Sequence, residues 1–290
     1  MTATAGRPGP FTGVAVAGAL NSAVIALGAA GVDTPRLDAE VLLAWALGVT
    51  RTALVLDPDR PVEGVAVRRF SEAVRRRSAQ REPVAYITAI KAFRHIELEV
   101  DPRVLIPRPE TELLVEVGLQ APPGTRVHDL GTGSGAVALA LKHERPDLIV
   151  SASDLSPDAL EVARANARRL GLEVALHPGD WEQGLDGGAK LVLANPPYVA
   201  EADRPSLAPE LRHEPPQALF AGPDGLAALR AIAEALGRRP APDGPSMVAL
   251  EVGQGQAAAV GELLAVAGFA RQEQRRDLAG VERVVVAWRR

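Results

Sequence analysis

The chain contains no cysteine. That excludes disulfides, a thiolate zinc site and a thiol nucleophile. Lysine is almost missing, with only Lys91, Lys142 and Lys190, so basic charge is carried by arginine. There is no positive excess either: the formal net charge is −4, whereas a protein that grips a duplex along its phosphates shows the opposite sign over a whole face. His128, His143, His177 and His213 are scattered without metal-ligand spacing, so no metal is expected. A long hydrophobic run dense in Leu, Ile or Phe is lacking too. The one uncharged stretch, residues 8–32, is built of Ala and Gly and broken by Asn21 and Ser22. It reads as an amphipathic helix of a cytoplasmic protein rather than a signal peptide or membrane anchor.

What the sequence does have is length and an apolar share sufficient for more than one core: 290 residues, 47% hydrophobic. Residues 1–82 read as a small helical domain. Val14, Leu20, Val24 and Leu27 form one apolar stripe that Gly31 stops, and Pro35 opens a second helix carrying Leu37, Val41, Leu42 and Trp45. A third helix is expected over 65–78. Residues 83–108 read as a linking β-hairpin, with strands at Tyr86-Ile87, 96–100 and 104–106 around an Asp101-Pro102 turn. From 109 to 290, strands and helices alternate, and the last two strands follow each other without a helix. That pattern predicts an α/β fold: a Rossmann-like, mainly parallel seven-stranded sheet with an antiparallel edge hairpin, as in class I methyltransferases.

Four features of the α/β region carry chemistry. The turn Asp129-Leu130-Gly131-Thr132-Gly133-Ser134-Gly135 joins a strand to a helix, where glycines permit a tight turn and close approach of a ligand to the backbone. Asp154 ends the next strand, where a carboxylate accepts both hydrogen bonds of a ribose diol. Asp180 follows the third strand as a candidate acceptor for an exocyclic amine, with Trp181 beside it to pack on a base. Asn195-Pro196-Pro197-Tyr198 follows the fourth strand, 191–194. Two prolines fix φ and stiffen this loop, which then presents carbonyl groups. A planar NH₂ entering it can give one hydrogen to the Asn195 side-chain oxygen and one to the Pro196 carbonyl, with Tyr198 over its flat face. A nitrogen whose lone pair is delocalised needs that polarisation to act as a nucleophile.

Those motifs join Arg36-Leu37-Asp38-Ala39-Glu40, the run 81–88, and Leu105-Ile106-Pro107-Arg108-Pro109-Glu110-Thr111-Glu112 in one order. The series resembles the release factor glutamine methyltransferases, the PrmC/HemK family, over nearly the whole chain. The resemblance implies transfer of a methyl group from S-adenosylmethionine to the glutamine amide nitrogen of the Gly-Gly-Gln tip of class I peptide chain release factors. It also implies an N-terminal helical domain that helps to hold that protein substrate. Under the resemblance, Gly131, Thr132, Gly133, Ser134, Gly135, Asp154, Asp180, Trp181 and Asn195 correspond to cofactor contacts. Asn195, Pro196, Pro197 and Tyr198 correspond to the glutamine pocket. The expected state is a monomer with no membrane and no direct nucleic-acid substrate. The alternative is an amino-methyltransferase of nucleic acid, acting on adenine N6, cytosine N4 or guanine N2. Those amines suit the same pocket, and the one basic cluster, Arg68, Arg69, Arg75, Arg76, Arg77 and Arg81, reads first as a solvated helix face.

Overall fold

The computed structural model describes residues 13–185, 188–239 and 244–289. The chain divides into two compact units, 1–89 and 90–290.

The first unit is helical. A two-residue strand β1 (Val14–Ala15) leads into α1 (Val16–Ala29), followed by α2 (Pro35–Leu47), α3 (Arg51–Leu56), strand β2 (Pro61–Val62), α4 (Gly64–Ala79) and α5 (Val84–Thr88). The charge-free N-terminal stretch packs one face of α1, with Val16, Ala19, Leu20, Ala23 and Leu27 buried. Gly31, at φ +69°, reverses the chain after the helix, and the Val32 amide bonds back to the Leu27 carbonyl. Among the described residues no helix is long and apolar enough to cross a membrane. Pro35 sits in the first turn of α2, and Gly48 ends that helix at φ +66°. Inside this unit Arg77 reaches the Asp38 carboxylate at 2.7 Å, both side chains buried. Part of the arginine cluster is engaged locally: Arg75 pairs with Glu72, Arg76 with Glu82, and Arg81 donates to the Ala30 carbonyl.

Two expectations for residues 83–108 are corrected. Tyr86-Ile87 is not a strand but lies in α5, behind Pro83 at φ −58°. Residues 104–106 are not a strand either. The hairpin is β3 (Ile90–Phe93) paired with β4 (Ile96–Glu99), and its turn is Arg94-His95, with Arg94 at φ 50°, rather than Asp101-Pro102. Alternation alone cannot tell a five-residue helix from a short strand. The hairpin belongs to the second unit and is tied to it by Asn166, whose side chain makes a bond of 2.7 Å from the Glu99 amide and one of 3.0 Å to the Glu99 carbonyl.

The second unit continues with a 3₁₀ turn at Pro109–Thr111, then α6 (Glu112–Leu119), β5 (Arg126–Leu130), α7 (Ala136–Glu144), β6 (Ile149–Asp154), α8 (Pro157–Leu170), β7 (Ala175–Pro178), β8 (Leu191–Ala194), α9 (Ala227–Gly237), β9 (Met247–Glu251), α10 (Ala257–Val266), β10 (Arg271–Arg276) and β11 (Glu282–Trp288). The seven strands run in the order β10-β11-β9-β8-β5-β6-β7. Those from β9 to β7 are parallel, and β11 and β10 add an antiparallel edge. All four residues of β8 are buried, as expected of a parallel strand covered on both faces. One side of its core joins Leu130, Val192, Leu250 and Val285 of the sheet to Leu229 and Ile232 of α9 and Leu264 of α10.

The register decides where chemistry can occur. Ser153, Leu130, Ala194 and Leu250 lie side by side across four neighbouring strands. The next residue on each is Asp154, Gly131, Asn195 and Glu251. The strand order reverses at β5 and β8, and in open α/β sheets ligands bind beyond the carboxyl ends at that place.

Candidate active site

A cavity of about 390 Å³ opens beyond these strand ends. Gly131, Gly133, Asp154, Asp180, Trp181, Asn195 and Pro197 line it, together with Arg103, Val104 and Leu105 on one wall and Pro215, Gln217 and Ala218 on another. The four sequence features thus meet in one space of the size that small ligands occupy.

The Gly-rich turn is built for close approach. Gly131 and Gly133 hold φ +72° and +56°, and a Cβ on Gly131 would meet the Trp181 ring at 3.1 Å. Gly135, at φ +86°, starts α7 where a Cβ would press on Leu139 at 2.8 Å. Its amide groups are largely used inside the protein: Gly131 and Thr132 donate to the Ser153 carbonyl and Gly135 to that of Thr132. Thr132 and Ser134 are buried beneath the turn, and the Thr132 hydroxyl donates to Asp129 at 2.6 Å. Burial pushes the pKa of Asp129 up to about 6, against the Thr132 and Ala138 bonds that pull it down.

Asp154 holds the turn from the neighbouring strand. Its two oxygens accept the Gly133 and Ser156 amides, each at 2.9 Å. The cap of α8 falls to Ser156, whose hydroxyl accepts the Ala159 amide, so Asp154 is not the capping residue. Each carboxylate oxygen retains acceptor capacity toward the cavity. Burial raises its pKa above the usual carboxylate range. Asp180 uses Oδ1 to accept the Glu182 and Gln183 amides at 3.0 and 2.8 Å, shaping the turn that carries Trp181. Trp181 has two contacts at once, packing on the apolar core and lining the cavity.

Asn195 stands one residue past β8 and directs its Nδ2 to the Thr111 hydroxyl at 3.0 Å. Its remaining polar side-chain atom is Oδ1, an acceptor. Pro197 lines the cavity, whereas Pro196 and Tyr198 stand outside its wall. Tyr198 packs on the core, and its hydroxyl donates to Glu251 Oε1 at 3.2 Å. Its own pKa is raised by burial first and by the Glu251 charge second. The loop is pinned behind as well. The Tyr198 carbonyl accepts from Gln256 at 3.0 Å and sits where any side chain on Gly225 would fall, and Val199 bridges to Phe220.

Several of these residues carried no assigned role in the sequence. Thr111 was visible within the Pro-Arg-Pro-Glu-Thr run but had no partner. Glu251 had a usable signal, a carboxylate closing an otherwise apolar strand at a carboxyl end. Glu214 had none. It is buried, accepts the Ile106 amide at 3.0 Å and pairs with Arg108, which joins the 103–108 wall to the 215–218 wall.

Comparison with known proteins agrees with this arrangement. A family model described as the PrmC N-terminal domain matches residues 18–88, and one described as the methyltransferase small domain matches 109–225. The release factor glutamine methyltransferase of Burkholderia pseudomallei is 46% identical over 85% of this chain and 90% of its own length. That of Moorella thermoacetica is 43% identical over 94% and 98%. A methyltransferase structure from Pyrococcus furiosus, 17% identical, aligns with a TM-score of 0.50 over 66% of this chain and 87% of its own, a likeness of fold. With identity at this level over nearly the full length, and with the strand-end motifs gathered at one cavity, the chain belongs to the release factor glutamine methyltransferase family.

Proposed function

We propose that this protein uses S-adenosylmethionine to methylate the side-chain amide nitrogen of the glutamine in the Gly-Gly-Gln motif of class I peptide chain release factors, acting as a monomer in the cytoplasm. The observation that carries the reading is the placement of Asn195. It shares one cavity with the Gly-rich turn, and its amide nitrogen is already engaged by Thr111, so an oxygen is what it offers to a ligand.

The residues present fit the cofactor. Gly133 leaves open space above the backbone, Gly131 lets the Trp181 ring lie close over the turn, Asp154 has acceptor capacity for a ribose diol, and Trp181 with Asp180 suits an adenine. When bound, the cofactor supplies an electrophilic methyl group on a sulfonium whose departure as a thioether is neutral. The protein's part is to place and polarise the nitrogen. Asn195 Oδ1 accepts one N–H group of the incoming amide at the cavity, and the other is assigned to the carbonyl of Pro196, on the adjoining loop outside the wall, which orients the lone pair and draws electron density onto nitrogen. Pro196 and Pro197 hold φ fixed, so the acceptors stay in place. Tyr198 anchors the loop through Glu251 and Gln256. No strong base is required, because the N–H turns acidic as the new bond forms. Orientation of this kind supplies roughly 7–11 kcal/mol of the barrier.

The nucleic-acid alternative is not favoured by the relatives, and four of the six clustered arginines, Arg75, Arg76, Arg77 and Arg81, are engaged within their own unit. The deciding experiment uses methyl-labelled S-adenosylmethionine with purified release factor, wild type and with the Gly-Gly-Gln glutamine changed to Ala. Label is expected in the first alone. Equal label in both, or transfer to bare tRNA or DNA instead, overturns the proposed substrate.

A further inference from the structure

Behind Asn195 lies a second layer of polar groups, Thr111 and Glu251. Glu251, one residue past Leu250 on β9, is 1% exposed. Its Oε1 accepts the Tyr198 hydroxyl, while its Oε2 is buried with no hydrogen bond. An unpaired buried carboxylate oxygen is costly and calls for an explanation. Thr111, 3% exposed, stands between Glu251 and Asn195. Its oxygen accepts Asn195 Nδ2 at 3.0 Å, so its own hydroxyl proton is not spent on Asn195 and can turn to Glu251, the buried acid with an unfilled oxygen whose pKa the Thr111 and Tyr198 hydroxyls pull down.

The chemistry of these groups fixes a direction. A hydroxyl has one proton to donate, and it donates toward the strongest acceptor, here an anionic oxygen. With its proton turned to Glu251, Thr111 shows Asn195 a lone pair. An amide meeting a lone pair turns its NH₂ inward and its carbonyl oxygen outward. Reversing the first member reverses the last: a hydroxyl proton pointed at Asn195 would attract Oδ1 and leave NH₂ at the cavity. A substrate NH₂ would then face donors instead of an acceptor.

We propose that Glu251 and Thr111 are positioning residues that set which end of the Asn195 amide faces the substrate, through the directed chain Glu251, Thr111 hydroxyl, Asn195 NH₂. This rests on the reading of Asn195 as an acceptor for a planar NH₂. The chain works with Glu251 as a carboxylate. Burial pushes this acid up to about 7, helped by the charge of Glu110, while the Thr111 and Tyr198 hydroxyls and the Arg283 charge pull it down. Protonation makes Glu251 a donor that competes for the Thr111 oxygen, so turnover falls as pH drops through that region.

The test compares Thr111→Val, Thr111→Ser and Glu251→Gln with the wild-type enzyme, and has two readouts. The first is methyl transfer to release factor across pH 5.5 to 9. Thr111→Val lowers kcat on the order of 10²-fold with cofactor Kd unchanged, and Thr111→Ser, which keeps the hydroxyl, restores most of it. Glu251→Gln is slow at all pH and lacks the acid limb near pH 7. The second readout needs no substrate: hydrogen exchange of the Asn195 side-chain NH₂, followed by NMR. It is protected in wild type and Thr111→Ser and faster in Thr111→Val. An unchanged acid limb in Glu251→Gln overturns the inference. So does a Thr111→Val enzyme with normal kcat, or one that loses kcat without faster Asn195 exchange. If the wild-type enzyme transfers no methyl to a glutamine amide, the functional reading fails by itself, and the Asn195 exchange still decides this one.

Discussion

Two carboxyl groups illustrate how single residues are placed between stability and use. Asp129 and Glu251 sit at the carboxyl ends of buried strands, and burial raises them to about 6 and about 7 from ordinary values of 3.8 and 4.5. A raised pKa means that the fold disfavours the charged form. The stabilising contribution is therefore complete below pH 4 and is lost as pH rises through 6 and 7. Each group weakens the fold by on the order of 3 kcal/mol once ionised. Asp129→Asn, which still offers an oxygen to Thr132 and Ala138, should show a smaller loss of stability between pH 4.5 and 8 than wild type in denaturant titrations. An identical pH dependence would show that Asp129 does not titrate in this range. Asn195 belongs to the opposite class, exposed to the cavity and uncharged. Its replacement by Ala removes an acceptor used only when substrate is bound, so kcat should fall about 10²-fold while cofactor Kd changes little. Comparable losses in both quantities would contradict the role given to it.

At the scale of elements, the turns decide. The Gly-rich turn must reach φ values that L-residues avoid, and Gly131 has the Trp181 ring over it. Gly131→Ala should cost about 1–2 kcal/mol for the backbone alone, and it should weaken cofactor binding further by displacing Trp181. Calorimetric titration beside a denaturation curve separates the two effects, and unaltered affinity would remove Trp181 from the cofactor site. The same scale shows how far the sequence could be read. Strand–helix alternation after residue 125 and the antiparallel end at β10 and β11 were legible because both periods are strong and the loops between them are marked by Gly and Pro. The segment 83–108 was not. Its elements are four or five residues long, and Pro83 and the left-handed Ala89 and Arg94 decide between helix and strand where periodicity does not. Six-residue α3, held by a Thr50 cap, was missed for the same reason. In the site, residues adjacent in sequence to a motif were legible. The partners of Thr111, Glu214 and Glu251 were not, since each lies 53 to 108 positions away and is brought near only by the fold.

For the molecule as a whole, the chain divides at residue 89 into two units, each with its own core. Every residue that lines the cavity lies between 103 and 218, within the second unit, and that unit has its own core on the sheet. The first unit closes around a different core, centred on Leu27, Leu42, Leu43 and Phe70, with the Asp38–Arg77 pair buried beside it. On the proposed function, cofactor binding and the orientation of a glutamine amide fall to residues of the second unit, and the hold on a whole release factor needs more surface than the cavity provides. A fragment spanning residues 90–290 should bind S-adenosylmethionine with the Kd of the full chain. It should methylate release factor with a raised KM and a kcat at saturation near the full-length value. Loss of the first unit would thus appear in kcat/KM alone. A folded fragment that fails to bind cofactor would place part of the site in the helical unit, and one with full kcat/KM would leave that unit without a part in substrate recognition.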